Sequence, residues 1–397
     1  MYLTEQEQAM LDGKQGKSLQ KAMQILHTLG TIYGAEKMLP VTSVQISGVS
    51  YANLGEAGLD WLNEMAADGS QVKPLTTLNP AGMDVENWER LGIEPEFARN
   101  QVRVLDAFAT MGINLTCTCT PYLTGNLPEL GDHIAWAESS AVCYANSVLG
   151  ARTNREGGPS ALAAALTGVT PAYGLHLDEN RTPTMCVEVK TALNGTNQFG
   201  ALGKAIGDKL QGKAHIPFIK GVPHASLEEL KSFCASIATY GGTALFHMQS
   251  ITPEAKSFTP PTESVHIGEA DITRNMQDLT TASAEEVDFV SLGCPHLSLG
   301  EVRRIAGLLK GQKVTKEFWI TTSRPVKRMA DVAGLTAIIE AAGAKFAVDT
   351  CCVVAPIEGR FNAMLTDSAK ACYYAQAKNK FKIRQLPFDD VVREACQ

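Results

Sequence analysis

Two adjacent cysteines, Cys351 and Cys352, stand in the stretch VDTCCVVAP at residues 348–356. Thiolates bind transition metals and iron–sulfur clusters, and converging thiols can also be redox-active. Cys351 follows the apolar run KFAVDT, and Cys294 follows a second apolar run, DFVSLG. Ser323 and Arg324 come at the end of a third run, EFWITTS. Candidate thiol, hydroxyl and guanidinium groups therefore all follow predicted buried strands.

The elements that position these groups alternate between strand and helix. A helical pattern, CPHLSLGEVRRIAGLLKG, separates the first two strands, and another, RPVKRMADVAGLTAIIEAAG, separates the second from the third. Such alternation predicts an α/β fold with a parallel sheet covered by helices. Ligands bind beyond the carboxyl ends of such strands, and neighbouring strands lie about 5 Å apart. The two thiols and the guanidinium can therefore reach one pocket.

A metal centre requires a further ligand, and the segment TCTCTPY offers Cys117 and Cys119. Both would point the same way in a strand, and Cys119 lies nearer the predicted strand end. Three cysteines without a fourth would leave one iron of a cubane cluster open to act as a Lewis acid on a substrate hydroxyl. A redox pair and unrelated thiols remain alternatives. His296, two residues after Cys294, is either a ligand or acid, or a residue that fixes the turn by hydrogen bonding.

A second group of residues could bind an anion. Gly157 and Gly158 precede the helical segment SALAAALTG, and Arg152 and Arg155 lie just before them. Backbone N–H groups at a helix start attract phosphate or carboxylate, and arginine adds bidentate contacts. The alternative is an ordinary Gly-Gly-Pro turn.

Further polar residues are candidate substrate contacts because they stand in loops or directly before helices. Asn79 precedes Pro80, which keeps it extended, although the same pattern suits a plain surface loop. The candidates are Asn79, Glu138, Ser139 and Asn154.

The composition excludes several classes of protein. The net charge is −7, with 45% hydrophobic and 19% charged residues, which fits a globular protein and disfavours nucleic acid or an anionic membrane as a partner. We expect no signal peptide, no membrane span and a cytoplasmic location, where disulfides are rare. Most of the ten cysteines are then expected to be buried and free.

Six long motifs spread over the chain resemble those of the aconitase X family. The family resembles the first three domains of aconitase, and in two-component members the fourth, swivelling domain is a separate small subunit. The resemblance implies an aconitase-like three-layer α/β/α body with mostly parallel sheets, in lobes near residues 1–115, 116–285 and 286–397. The motifs are TTLNPAGMD, CTPYLTGNLPELGDHIAWAESSAV, YANSVLGARTNREGGPSALAAALTG, SLGCPHLSL, TSRPVKRMAD and DTCCVVAPIE.

The resemblance also implies an iron–sulfur cluster, most simply 4Fe-4S with one open iron. The cluster ligands of the family match Cys119 in CTPY, Cys294 in GCPH and Cys351 in DTC. Cys352 would then be a packing residue, and Cys117 lies outside the shared pattern.

The function that the resemblance implies is that of the large subunit of a hydro-lyase. One archaeal branch dehydrates (R)-5-phosphomevalonate to trans-anhydromevalonate 5-phosphate in a modified mevalonate pathway, and another branch dehydrates cis-3-hydroxy-L-proline. The motifs NPAGMD and ARTNREGGPSALAAALTG are more similar to the first. A non-catalytic metal-binding scaffold is an alternative of a different class.

The resemblance suggests a role for each candidate. Arg155, Gly157 and Gly158 would hold the phosphate, and Arg324 would stabilise charge on the substrate carboxylate. The base would be a serine of the small subunit, with Ser323 as the alternative within this chain.

Overall fold

The computed structural model describes residues 1–210 and 215–397. Its strands are β1 Met38–Pro40, β2 Ser43–Ile46, β3 Leu75–Leu78, β4 Ala135–Trp136, β5 Val169–Pro171, β6 Met185–Val189, β7 Pro217–Lys220, β8 His247–Met248, β9 Ser264–Ile267, β10 Phe289–Leu292, β11 Glu317–Thr322, β12 Lys345–Val348, β13 Ala363–Thr366 and β14 Lys382–Gln385. Its helices are α1 Glu5–Leu11, α2 Lys17–Ile32, α3 Tyr51–Ala66, α4 Pro95–Thr110, α5 Ser139–Tyr144, α6 Gly158–Thr167, α7 Gly195–Leu210, α8 Leu227–Tyr240, α9 Glu269–Asp278, α10 Leu299–Leu309, α11 Arg324–Val332, α12 Leu335–Ala341, α13 Ala369–Ala377 and α14 Phe388–Glu394.

The first sheet is parallel, with β2 between β3 and β4, and a small antiparallel pair joins β1 to β5. Helices α2 and α6 share one apolar core with this sheet. The boundary predicted near residue 115 falls inside this lobe, because β4 and β5 come after it and pair with β2 and β1.

The other two sheets are entirely parallel among the described residues. The second sheet has the order β8-β7-β6-β9 and the third has the order β12-β11-β10-β13-β14, and each of the three sheets, with the helices that cover it, defines one lobe. Every residue of β10 is buried, as expected when helices cover both faces of a parallel sheet. These sheets and their helical crossovers confirm the predicted α/β class.

The carboxyl ends of the first and third sheets face each other. The N–H of Ala81, which follows β3, donates to the carbonyl oxygen of Asp349, which follows β12, at 2.8 Å. The Ser50 hydroxyl, which follows β2, donates to the carbonyl of Val354 at 3.0 Å. The loops that carry the candidate residues therefore meet between the two lobes.

Two sequence-based expectations differ from the structure. The segment INLTCTCTPYL, predicted as a strand, makes only an isolated bridge between Thr77 and Asn114, and Cys117 has a φ of 43° that no strand allows. The helix predicted over 324–343 breaks at Gly334, whose φ of 71° separates α11 from α12. None of the described helices has the length and apolar character needed to cross a membrane.

Candidate active site

Cys119 is held by the first sheet. The N–H of Thr118 donates to the Leu78 carbonyl at 2.9 Å, and the Gln45 amide donates to the Thr118 carbonyl at 2.8 Å. Cys119 is buried, and its sulfur accepts the backbone N–H of His296 from the third lobe at 3.2 Å. The first cysteine is therefore fixed against the loop that carries Cys294.

Cys294 and Cys351 follow β10 and β12, which lie on either side of β11. Gly293 has a φ of 111°, and a Cβ there would lie 2.2 Å from the Thr321 carbonyl oxygen, so only glycine lets the chain turn at this point. The carbonyl of Cys351 accepts backbone N–H groups from the short turn that follows it. Tight backbone packing thus positions both sulfurs at the carboxyl edge of the sheet.

The three thiols are largely removed from water, with Cys119 and Cys351 buried and Cys294 partly exposed. Burial raises the pKa of Cys119 to about 12, with Glu138 and Cys351 adding to the rise and Lys370 opposing it. Burial also raises the pKa of Cys294, and Cys351 and Cys119 add to that effect. Burial likewise raises the pKa of Cys351. The His296 N–H bond to Cys119 and the short loops after β10 and β12 bring the three thiols to one region of the structure.

The arrangement is not that of a mononuclear metal site. Within residues 1–210 and 215–397, no three His, Cys, Asp or Glu side chains are grouped closely enough to hold a single ion. A cluster of several irons spaces its thiolate ligands more widely than one ion does. Three thiols on separate loops, beside a buried ammonium that offsets thiolate charge, therefore fit a cluster by their donor chemistry.

His296 joins the three cysteine-bearing loops. Its Nε2 donates to the Thr350 carbonyl at 2.9 Å, so its Nδ1 accepts from the Thr118 hydroxyl at 3.0 Å. Burial lowers the pKa of His296 to about 4 and keeps the ring neutral. With both ring nitrogens engaged, the geometry favours the loop-fixing alternative over the predicted role as an acid or ligand.

Lys370 is the residue of this site that the sequence reasoning missed. Its ammonium, at the start of α13, forms a buried ion pair with Glu138 of the first lobe and lies 3.5 Å from the Ser140 hydroxyl. Burial alone would lower the pKa of Lys370, but Glu138, Cys294 and Cys119 raise it on balance. Glu138 also accepts the Ala141 N–H as the N-cap of α5. Lys370 is the second residue of α13 and belongs to no sequence motif. Its pairing with Glu138 is therefore visible only in the folded structure.

Arg324 and Ser323 lie at the predicted strand end, but both are engaged within the chain. Arg324 pairs with Asp349, with Asp84 at 3.1 Å and with Glu86 at 2.5 Å. The Ser323 hydroxyl is buried and accepts the Val326 N–H at 3.4 Å as the N-cap of α11. A substrate carboxylate would have to compete with three carboxylates for Arg324, and Ser323 is poorly placed as a base.

The predicted phosphate-binding residues lie at the carboxyl edge of the first sheet. Gly158 is so close to β2 that a Cβ would lie 2.7 Å from the Ser47 carbonyl oxygen. The Gly157 N–H already donates to the Ser160 hydroxyl at 3.0 Å, and Arg155 is exposed. Arg152, by contrast, forms an isolated bridge with His133, which precedes β4, and pairs with Asp178 at 2.5 Å. Of the two flanking arginines, Arg152 is therefore engaged in an ion pair, whereas Arg155 is exposed.

The remaining candidates differ in their freedom to bind a substrate. The Asn154 amide donates to the Tyr173 carbonyl at 3.0 Å and accepts the Leu175 N–H at 2.9 Å, so it holds a loop. The Asn79 Oδ1 is buried without a hydrogen-bond partner among the described residues. Ser139 is half-buried at the first position of α5. Asn79 is the candidate whose buried acceptor a ligand would complete.

Comparison with known proteins agrees with this geometry. The sequence matches the aconitase X first domain over residues 1–179, the second domain over 183–277 and the third domain over 287–397. The structure is similar to the crystal structure of Thermococcus kodakaraensis aconitase X in its holo-form, with a TM-score of 0.93, 42% identity and full coverage of both chains.

Curated relatives fall into two groups. The chain is 47% identical to the phosphomevalonate dehydratase large subunit of Methanothermobacter thermautotrophicus, over 94% of each chain. It is 34% identical to the cis-3-hydroxy-L-proline dehydratase of Hypocrea jecorina, over 94% of this chain but 65% of that protein. The second relative therefore carries a further region that this chain does not match.

Proposed function

Because the chain belongs to the aconitase X family, we propose that it is the large subunit of a phosphomevalonate dehydratase. The reaction would remove water from (R)-5-phosphomevalonate and yield trans-anhydromevalonate 5-phosphate, in an isoprenoid pathway that uses mevalonate. The activity would require a small swivelling-domain subunit and an iron–sulfur cluster. We place the protein in the cytoplasm, in keeping with ten free cysteines.

The observation that carries this proposal is the length and degree of the match. The chain is 42–47% identical to four archaeal large subunits, with coverage of 92–100% on both sides. Its identity to two cis-3-hydroxy-L-proline dehydratases is 32–34%, and it covers 65% of each. This contrast supports the phosphomevalonate branch, and the description of these relatives as large subunits supports a separate small subunit.

Cys119, Cys294 and Cys351 would hold the cluster, with His296 fixing the loops on which they stand. When bound, the cluster supplies an open iron that polarises the carbon–oxygen bond of the substrate hydroxyl as a Lewis acid. Asn79 would bind the substrate through its unpartnered Oδ1, which would accept a hydrogen bond from a substrate hydroxyl. Arg155 at the rim and the start of α6 would receive the phosphate.

Proton removal requires a base that this chain does not readily offer. The proton leaves the carbon next to the substrate carboxylate, and the electron pair forms the double bond as hydroxide departs. The Ser323 hydroxyl is 1% exposed and caps α11, which supports a base supplied by the small subunit. The chain alone should therefore bind the substrate but turn it over very slowly.

The test is anaerobic co-expression of the chain with the small subunit, followed by assays with both substrates. We expect dehydration of 5-phosphomevalonate by the pair, little activity of the chain alone, and no turnover of cis-3-hydroxy-L-proline. Turnover of hydroxyproline without turnover of phosphomevalonate would overturn the substrate assignment. A protein that binds stoichiometric zinc and no iron would overturn the whole proposal.

A further inference from the structure

The Lys370–Glu138 pair is buried between the first and third lobes. The two side chains are 8% and 6% exposed, and they come from residues 232 positions apart in sequence. Removing two charges from water costs several kcal/mol each, and their mutual attraction seldom returns more than this cost. Stability alone therefore gives a weak reason for a buried lysine at this place.

The pair lies beside the three candidate cluster ligands. Ala369 and Ala371, on either side of Lys370, belong to a buried apolar cluster that also contains Cys352, and Cys294 packs against this cluster. The ammonium and the carboxylate therefore place opposite charges close to the same group of thiols.

Other buried pairs in the described part of the chain are bonded differently. The Lys231 ammonium divides its donors between Glu301 at 2.5 Å and the His296 carbonyl at 2.8 Å. Arg181 donates to Glu254 and also to several backbone carbonyls. Lys370 has one short bond, to Glu138, and its next polar contact, Ser140, is at 3.5 Å.

We propose that Lys370 is a positioning residue that provides fixed positive charge for the cluster, and that Glu138 is the counter-ion that limits this charge. The inference rests on the proposed function, because it requires that the three thiols hold a cluster. The Glu138 carboxylate, predicted as a substrate contact, then acts through Lys370 instead.

The consequence is a reduction potential set by the pair. Reduction adds negative charge to a cluster, so a nearby ammonium favours the reduced form and a nearby carboxylate disfavours it. The interaction should be strong because both charged side chains are buried, and charges removed from water are poorly screened. Removing the ammonium should therefore lower the reduction potential, and removing the carboxylate should raise it.

The experiment is a redox titration of the anaerobically purified holoprotein, followed by the visible absorption of the cluster. Lys370→Met should lower the reduced-to-oxidised ratio at a fixed potential at least tenfold, a shift of about 59 mV for a one-electron couple. Glu138→Gln should raise that ratio, and Lys370→Arg should restore a potential near that of the wild type. A merely structural role would not produce shifts of opposite sign.

Glu254→Gln is the matched control, because Glu254 also neutralises a buried cation, Arg181, whose hydrogen-bond partners among the described residues do not lie on the three cysteine-bearing loops. Its potential should equal that of the wild type. An unchanged or lowered potential in Glu138→Gln would overturn the inference even if Lys370→Met fails to fold. An absence of iron from the wild-type protein would overturn the proposed function as well, whereas a wild-type cluster with unmoved potentials in the variants would overturn this inference alone.

Discussion

Replacement of His296 by alanine tests the role of this residue in joining the three cysteine-bearing loops. The change removes the bonds to Thr118 and Thr350 at 3.0 and 2.9 Å and leaves a buried hydroxyl and a buried carbonyl without these partners. Each lost bond costs about 1–3 kcal/mol when its partner stays buried, and the cavity adds further cost. We expect a total loss of about 3–5 kcal/mol.

Two measurements separate loop fixing from general destabilisation. The first is the free energy of unfolding of the apo chain in urea, and the second is iron per chain after anaerobic purification. His247→Ala is the control, because His247 is equally buried and its Nε2 donates to the Arg181 carbonyl at 2.8 Å, away from the thiols. We expect both variants to lose stability but only His296→Ala to lose most of its iron. Full iron content in His296→Ala would refute the reasoning.

Three further predictions concern stability. Gly158→Ala should destabilise the chain by about 1–3 kcal/mol, because a Cβ would lie 2.7 Å from a backbone oxygen. Gly307→Ala, in a helix with open space around it, should stabilise the chain by about 0.5–1 kcal/mol. The free energy of unfolding in urea checks both values. Burial raises the folded pKa of Asp367 to about 6 from 3.8, so the folded state holds the proton more tightly and loses stability as pH rises from about 4 to 6. Asp367→Asn should therefore be more stable than the wild type at pH 7.5 by up to about 3 kcal/mol. This difference in the free energy of unfolding should shrink towards pH 4, and urea unfolding at several pH values measures it. Arg324→Met should lower the free energy of unfolding by about 3–5 kcal/mol, because two buried carboxylates lose their cation. A melting temperature of the apo chain equal to that of the wild type would contradict this.

The positions of the third-lobe residues could be predicted because local pattern and tertiary structure agree there. The apolar runs before Cys294, Ser323 and Cys351 are the buried strands β10, β11 and β12, and alternation with helices predicted their parallel order along one edge. The residue after each strand must then lie at the carboxyl edge, wherever its partners are in the sequence.

The segment around Cys117 could not be predicted in the same way. Its sequence alternates in the way typical of a strand. Its backbone, however, makes only isolated hydrogen bonds to the first sheet, including that of the Thr118 N–H to the Leu78 carbonyl at 2.9 Å. Cys117 adopts a positive φ, which is uncommon for a residue other than glycine and cannot be predicted from a cysteine in the sequence. Lys370 escaped prediction for a related reason, since its pairing with Glu138 exists only when two lobes come together.

The three-cysteine cluster is tested most directly by iron and acid-labile sulfide content in single cysteine variants of the anaerobically purified chain. Replacement by serine of Cys119, Cys294 or Cys351 should each abolish the cluster. Cys352→Ser should keep it, because Cys352 packs in a buried apolar cluster shared by the first and third lobes. Retention of the full cluster by any of the first three variants, or its loss from Cys352→Ser alone, would contradict the account.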